Sequence, residues 1–200
     1  GKMAAQPWDI TYITNSMGLS NSSVTCVHQD RSGRMWFGTW DGLNLYNGRD
    51  ISVLKPFFDD PHSLSNNIIR EIADRGDNEL WIATDYGINR LDPRTKRAER
   101  FFCDDRIDVS GEHPFHIAAD SLGHLLVHIR GYGFYSYSGR GFIPMDSDDA
   151  EQFISIFFDA CGLLWTLDRN GDLKSYRPSW YPGGRSILTP KDYALSSVHF

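Results

Sequence analysis

Apolar and polar positions alternate along most of the chain in runs of four to six residues, the period of a half-buried strand rather than of a helix. The pattern predicts strands over Val24–Gln29, Met35–Thr39, 42–46 and Ile51–Leu54, then over 68–73, Leu80–Thr84, 87–91 and 99–102. It continues with Phe115–Ala119, Leu125–Ile129, Gly133–Tyr137 and 142–145, and ends with Phe153–Phe158, 163–167, 171–176 and 186–188. Glycine opens each third strand, at Gly42, Gly87, Gly133 and Gly171, where a hairpin bend needs positive φ. Residues 8–14 (WDITYIT) alternate in the same way and fit an outer strand of an incomplete blade.

The strands recur as a repeat. Asp30, Gly33, Trp36, Thr39 and Gly42 are echoed by Asp74, Trp81, Thr84 and Gly87; Trp36 to Trp81 is 45 positions, as is Gly42 to Gly87. A third copy carries Asp120, Gly123, Leu126 and Gly133, and a fourth Asp159, Gly162, Trp165 and Gly171. Leu19-Ser20-Asn21 before the first copy matches Leu64-Ser65-Asn66 before the second, and Leu195-Ser196 near the end begins the same phrase again. Four strands per unit with no helix-period segment define an all-β fold of β-propeller blades. The chain divides into four four-stranded antiparallel blades, at about 18–62, 63–107, 108–148 and 149–192, with the start of a fifth at 193–200. The expectation is a single domain forming an incomplete propeller, with two open blade edges that favour self-association.

Composition narrows the classes. Net charge is −6, and no Lys/Arg run exceeds two residues, so nucleic acid is not an expected partner. No apolar run is long enough to span a bilayer, so membrane attachment is expected only through segments downstream of these residues. The first residues carry no apolar signal region, which leaves a cytosolic chain or one separated from its leader. Three cysteines, Cys26, Cys103 and Cys161, form neither a CxxC pair nor an even set; their pairing stays open.

Catalytic signatures are absent: there is no nucleophile elbow, phosphate loop or dinucleotide fingerprint. His113-Pro-Phe-His116 and His124 to His128 have the spacing of metal ligands, but the second pair falls on a strand, and a structural reading is preferred. No cofactor and no metal are therefore predicted. The recurring Asp30, Asp74, Asp120 and Asp159 fit turn caps. Trp36, Trp81 and Trp165 sit inside strands and read as inter-blade core.

A ligand surface is expected at one end of the channel, formed by the loop before each first strand and the loop between second and third strands. Those loops carry Asn21, Trp40, Asp41, Asn67, Asp85, Tyr86, Arg130, Tyr132 and Arg169. Aromatic faces beside amides and charges suit an oligosaccharide; packing against the next blade is the alternative for the aromatics.

The repeat wording resembles the two-component regulator propeller repeat: Leu19-Ser20-Asn21, Val24, Asp30, Gly33, Trp36-Phe37-Gly38-Thr39, Gly42-Leu43 and Tyr46 carry nearly all of it. The second copy is almost as close; the third lacks the Trp and the fourth lacks the Gly-Thr. The resemblance implies the N-terminal part of the periplasmic sensor domain of a hybrid two-component histidine kinase, with an oligosaccharide as ligand and no enzymatic activity in this portion. A propeller scaffold without a small ligand and a propeller lyase are the competing readings.

Overall fold

A computed structural model describes residues 10–76, 79–103, 107, 113–147, 153–182 and 184–191. The first blade comprises β1 (Val24–Gln29), β2 (Met35–Thr39), β3 (Gly42–Tyr46) and β4 (Ile51–Leu54). The second has β5 (Ile69–Asp74), β6 (Leu80–Thr84), β7 (Ile88–Leu91) and β8 (Ala98–Phe101). The third has β9 (Phe115–Ala119), β10 (Leu125–Ile129), β11 (Gly133–Tyr137) and β12 (Phe142–Pro144). The fourth has β13 (Phe153–Phe158), β14 (Leu164–Asp168), β15 (Leu173–Ser179) and β16 (Ile187–Lys191). Each blade is one antiparallel meander paired in sequence order, so the all-β propeller-blade class holds. The first strands of successive blades, β1, β5, β9 and β13, lie side by side and form the inner wall.

Three of these inner strands bulge at the same point: the register shifts between Val24 and Cys26, between Ile69 and Glu71, and between Phe153 and Ser155. The extra residue, Thr25, Arg70 or Ile154, leaves the ladder. β9 pairs with β10 without a shift.

The turn between first and second strands explains the recurring aspartate. Asp30 Oδ1 accepts the amides of Ser32 and Arg34, while Oδ2 accepts the buried indole N–H of Trp36 at 2.9 Å. Asp159 repeats this with Cys161, Leu163 and Trp165. Asp120 caps Leu122 and His124, and its second oxygen holds His124 Nδ1 because no indole is present. Asp74 departs from the expected series. The second turn has the same length, but Arg75 takes the position of Asp30, and Glu79 accepts the Trp81 indole instead. Asp74 closes β5 and faces Arg31 of the first blade at 3.7 Å.

The opening phrase of the repeat is a second device. Asn44 Oδ1 accepts the Ser20 amide and its Nδ2 donates to Ser20 Oγ; Asn89 and Ser65 do the same one blade on. Thr39 and Thr84 bond the respective serine hydroxyls. Asn44, Thr39, Asn89 and Thr84 are fully buried, so each network closes polar groups that burial would otherwise leave unpaired. The third blade has Tyr135 and Ile129 at these positions, which is why its wording fades.

Three cores fill the three blade interfaces. Trp36 packs with Ile69, Ile82 and Leu64 between the first two blades. Trp81 packs with Phe115, Val127 and Tyr137 in the next, and Leu126 with Phe153, Leu164 and Tyr176 in the last. Trp165, expected as core, is only half-buried and stacks on Phe157 of its own blade. Of the outer strand expected at 8–14, the described residues 10–14 pair with no strand among the described residues. The fifth copy expected at 193–200 lies outside the described residues.

Candidate ligand site at the loop end of the inner wall

Loops preceding the first strands and loops joining second to third strands meet at one end. Trp40 N–H donates to Ser23 O, Asp85 N–H to Ile68 O, and Arg130 N–H to Pro114 O, binding the two loop types within each blade. Gly42 N–H donates to Asn67 O at 2.7 Å, which ties the first blade to the second. Gly42 has φ +121° and a Cβ there would meet Leu54 O at 2.8 Å, so only glycine turns the chain here.

The structure brings together four of the predicted residues, Trp40, Asp41, Asn67 and Asp85. Asp41 is held by Lys55 Nζ at 2.5 Å and by Asn67 Nδ2 at 3.4 Å, and these bonds keep its carboxyl below the ordinary range. Asp85 receives a two-pronged bond from Arg70, at 2.5 and 2.9 Å. The bulge in β5 is what releases Arg70 from the ladder toward this carboxylate. The Arg70 guanidinium lies 6.0 Å from the centroid of the Trp40 ring, within cation–π range. Trp40 itself is 54% exposed. Its ring therefore borders solvent, with Arg70 near it rather than a neighbouring core.

The other predicted residues divide. Asn21 Oδ1 caps the Ser23 amide at 2.7 Å, and Asn66 does the same for Ile68, which gives Asn21 a turn-forming role. The Tyr86 amide donates to Thr84 Oγ1 and its carbonyl accepts from Cys103 Sγ. Tyr132 is exposed in the third blade and Arg169 in the fourth, and Arg130 is half-buried.

Three groups stand at this end beyond the predicted set. His113 precedes β9 with φ +51°, an uncommon conformation for a residue with a Cβ. Its Nε2 lies 3.5 Å from Arg70 Nη1; burial, then the Arg70 charge, hold its imidazole below the ordinary histidine range. His116 is buried in β9, with Nδ1 at 2.6 Å from Glu71 Oε1 and Nε2 at 2.9 Å from Phe153 O. Glu71 Oε2 accepts the Ile117 amide at 2.8 Å. With Thr25 Oγ1 donating to Ile69 O at 2.7 Å, each blade interface carries a side-chain bond from one inner strand to the next. Sequence offered the His113/His116 spacing as a signal; Glu71 and Arg70 read simply as strand residues.

Fold and loop geometry define a propeller-type domain with a polar, aromatic-bordered loop end. Comparison with known proteins gives this a family setting. Residues 18–41 match the model described as two component regulator propeller, so the first copy is similar to that repeat. A stretch of 48 residues, 24% of this chain, is 42% identical to histidine kinase P4 of Formosa agariphila and covers 4% of that protein. The fold is similar to an extracellular domain from B. thetaiotaomicron assigned to the hybrid two-component system BT3049, with TM-score 0.69 and 21% identity over 86% of this chain and 25% of that one. It is also similar to a streptogramin B lyase, with TM-score 0.57 and 13% identity over 80% of this chain and 56% of the other. The chain thus spans about a quarter of the sensor structure and a small part of the kinase. No helix among the described residues is long and apolar enough to cross a membrane.

Proposed function

We propose that this chain is part of the periplasmic, ligand-sensing propeller of a hybrid two-component histidine kinase, and that the loop end binds an oligosaccharide. The observation that carries the reading is the exposed Trp40, with the Arg70 guanidinium of the Arg70–Asp85 pair near its ring and the Asp41–Lys55–Asn67 cluster starting at the next residue. A flat indole stacks on the C–H face of a pyranose, while fixed carboxylates and amides bond its hydroxyls. The regulator-propeller repeat at residues 18–41 and the likeness to the extracellular sensor fold support the signalling context. The charged groups here are paired with one another, an arrangement suited to binding neutral hydroxyls rather than to acid–base chemistry.

The test is calorimetry of an oligosaccharide panel against the sensor region, native and Trp40→Ala. Binding of one glycan class, weakened on the order of tenfold or more by Trp40→Ala, supports the reading. No saturable binding across neutral and acidic glycans overturns it.

A further inference from the structure

Glu71, His113 and His116 are drawn from two blades to one point on the inner wall. One ring nitrogen of each histidine and one carboxylate oxygen of Glu71 lie within 4.8 Å of one another. We infer that these three side chains form a binding site for a divalent transition-metal cation of the zinc type.

The chemistry of the His116 ring carries the argument. A carbonyl can only accept, so His116 Nε2 must donate its hydrogen to Phe153 O at 2.9 Å. A neutral ring then presents a lone pair at Nδ1, which faces a Glu71 carboxylate oxygen at 2.6 Å. Two acceptors at that separation repel unless a positive centre lies between them. At 2.6 Å that centre is a shared proton, which a metal ion would displace on binding, and the surroundings are those of a metal site. Ligating histidines typically give their other N–H to a carbonyl, which fixes the tautomer and aims the free nitrogen. Glu71 is oriented likewise, because Oε2 is held by the Ile117 amide and Oε1 is left to coordinate. Both ligands thus have their supporting bonds already in place.

His113 supplies the third ligand. Its ring lies parallel to His116, 8° between planes and 5.9 Å between centroids. Its Nδ1 is buried and has no hydrogen-bond partner among the described residues. An unpaired buried nitrogen, held by a backbone at φ +51°, is an expense that coordination would remove. Arg70 stands close, but its charge is offset by both oxygens of Asp85. Two nitrogens and one oxygen are a borderline-soft donor set that suits zinc, cobalt, nickel or copper better than calcium or magnesium. Around zinc, with bonds near ~2.05 Å, tetrahedral ligand atoms stand about 3.3 Å apart. His116 and Glu71 therefore part slightly on loading, and a water completes four-coordination. The inference is independent of the oligosaccharide reading, since no sugar enters it.

The test titrates Co²⁺ and then Zn²⁺ into the chelator-stripped 200-residue chain, without glycan. Expected results are one equivalent bound, a visible cobalt spectrum of low coordination number, and its displacement by zinc. Glu71→Gln and His113→Ala, each checked for native circular dichroism, weaken binding at least tenfold. His113→Ala is the safer variant, because that residue lies in a loop rather than in the ladder. No stoichiometric binding overturns the proposal, as does binding that both variants leave unchanged. A His116 ring shown by nitrogen NMR to stay doubly protonated under excess zinc also overturns it, and assigns the bridging charge to a proton.

Discussion

Removing the Asp30 carboxylate tests the account of the repeat's most regular turn. Asp30→Ala deletes acceptors for two turn amides, for the Arg34 guanidinium and for the Trp36 indole. Ser32 is exposed, and water can replace the carboxylate there, so each turn bond is worth ~0.5–1.5 kcal/mol. The Arg34 pair is partly exposed and adds at most about 1 kcal/mol. Trp36 is fully buried, so its N–H would stay unpaired at a cost of about 1–3 kcal/mol. These terms span roughly 2–7 kcal/mol, and because bonds to one carboxylate are not additive the expected loss is roughly 2–5 kcal/mol. Asp120→Ala is the internal control: the same amides are lost, but its second oxygen holds His124, which is partly exposed, and no indole. Asp159→Ala falls between them, because Trp165 is only half-buried. The measurement is urea unfolding of the three variants followed by far-ultraviolet circular dichroism. Asp30→Ala costing no more than Asp120→Ala would refute the claim that the buried indole is the expensive partner.

The same bonds set an acid limb. Burial alone pushes the Asp30 carboxyl up, but bonds from Trp36 and Arg34 outweigh it and hold it low; Asp159 is held low chiefly by Trp165. Their stabilisation is complete above the unfolded Asp value near ~3.9 and is lost as pH falls through the folded values. The Asp30→Ala/Asp159→Ala double variant should show a flatter decline in stability below about pH 4, read by urea midpoints at several pH values. Burial pushes the Cys26 thiol up to about 11, while Cys161 is exposed; iodoacetamide at pH 8 should label Cys161 well before Cys26, and equal rates would contradict the described packing. Gly87→Ala should cost roughly 2 kcal/mol or more, because φ is +88° and a Cβ would meet Cys103 Sγ and Phe101 O; an unchanged melting temperature would contradict that turn. Val27 and Val53 on the first blade and Phe157 and Leu173 on the fourth are exposed. We propose that these outer faces drive self-association; light scattering should report a mass rising with concentration, and a constant monomer mass would end the idea.

How far the sequence spoke depended on whether a position was repeated. Nine of the sixteen strands, including β1, β2, β6 and β10, have the bounds that the apolar pattern predicts. Offsets arise where one blade differs from its siblings. Asp74 ends β5 where the first blade has Gln29, one place ahead of the Asp30 position that Arg75 fills, and β14 begins one residue late at Leu164. The loop end is legible as loops and residue types: alternation and glycine bends place Trp40, Asp41, Asn67 and Asp85 in the loops that a propeller gathers at one end of its channel. Arg70 and Glu71 are not, since a bulge leaves no trace in an apolar pattern, and Glu71 meets its partners 45 and 46 residues away only once blades stack; His116 is legible only as half of a histidine spacing.

The bulge shared by β1, β5 and β13 separates two kinds of inheritance. A residue inside the ladder answers to its cross-strand neighbours, so its replacement is judged by the whole sheet. Thr25, Arg70 and Ile154 have left that ladder. These positions can be rekeyed while the lock around them stays as cast, and descendants of one blade could come to greet different molecules. The third blade lacks this freedom: β9 runs without a bulge, and His116 sits in register opposite His128. Its vocabulary at the inner wall is fixed by its own sheet, and a change there would be felt as a change of frame.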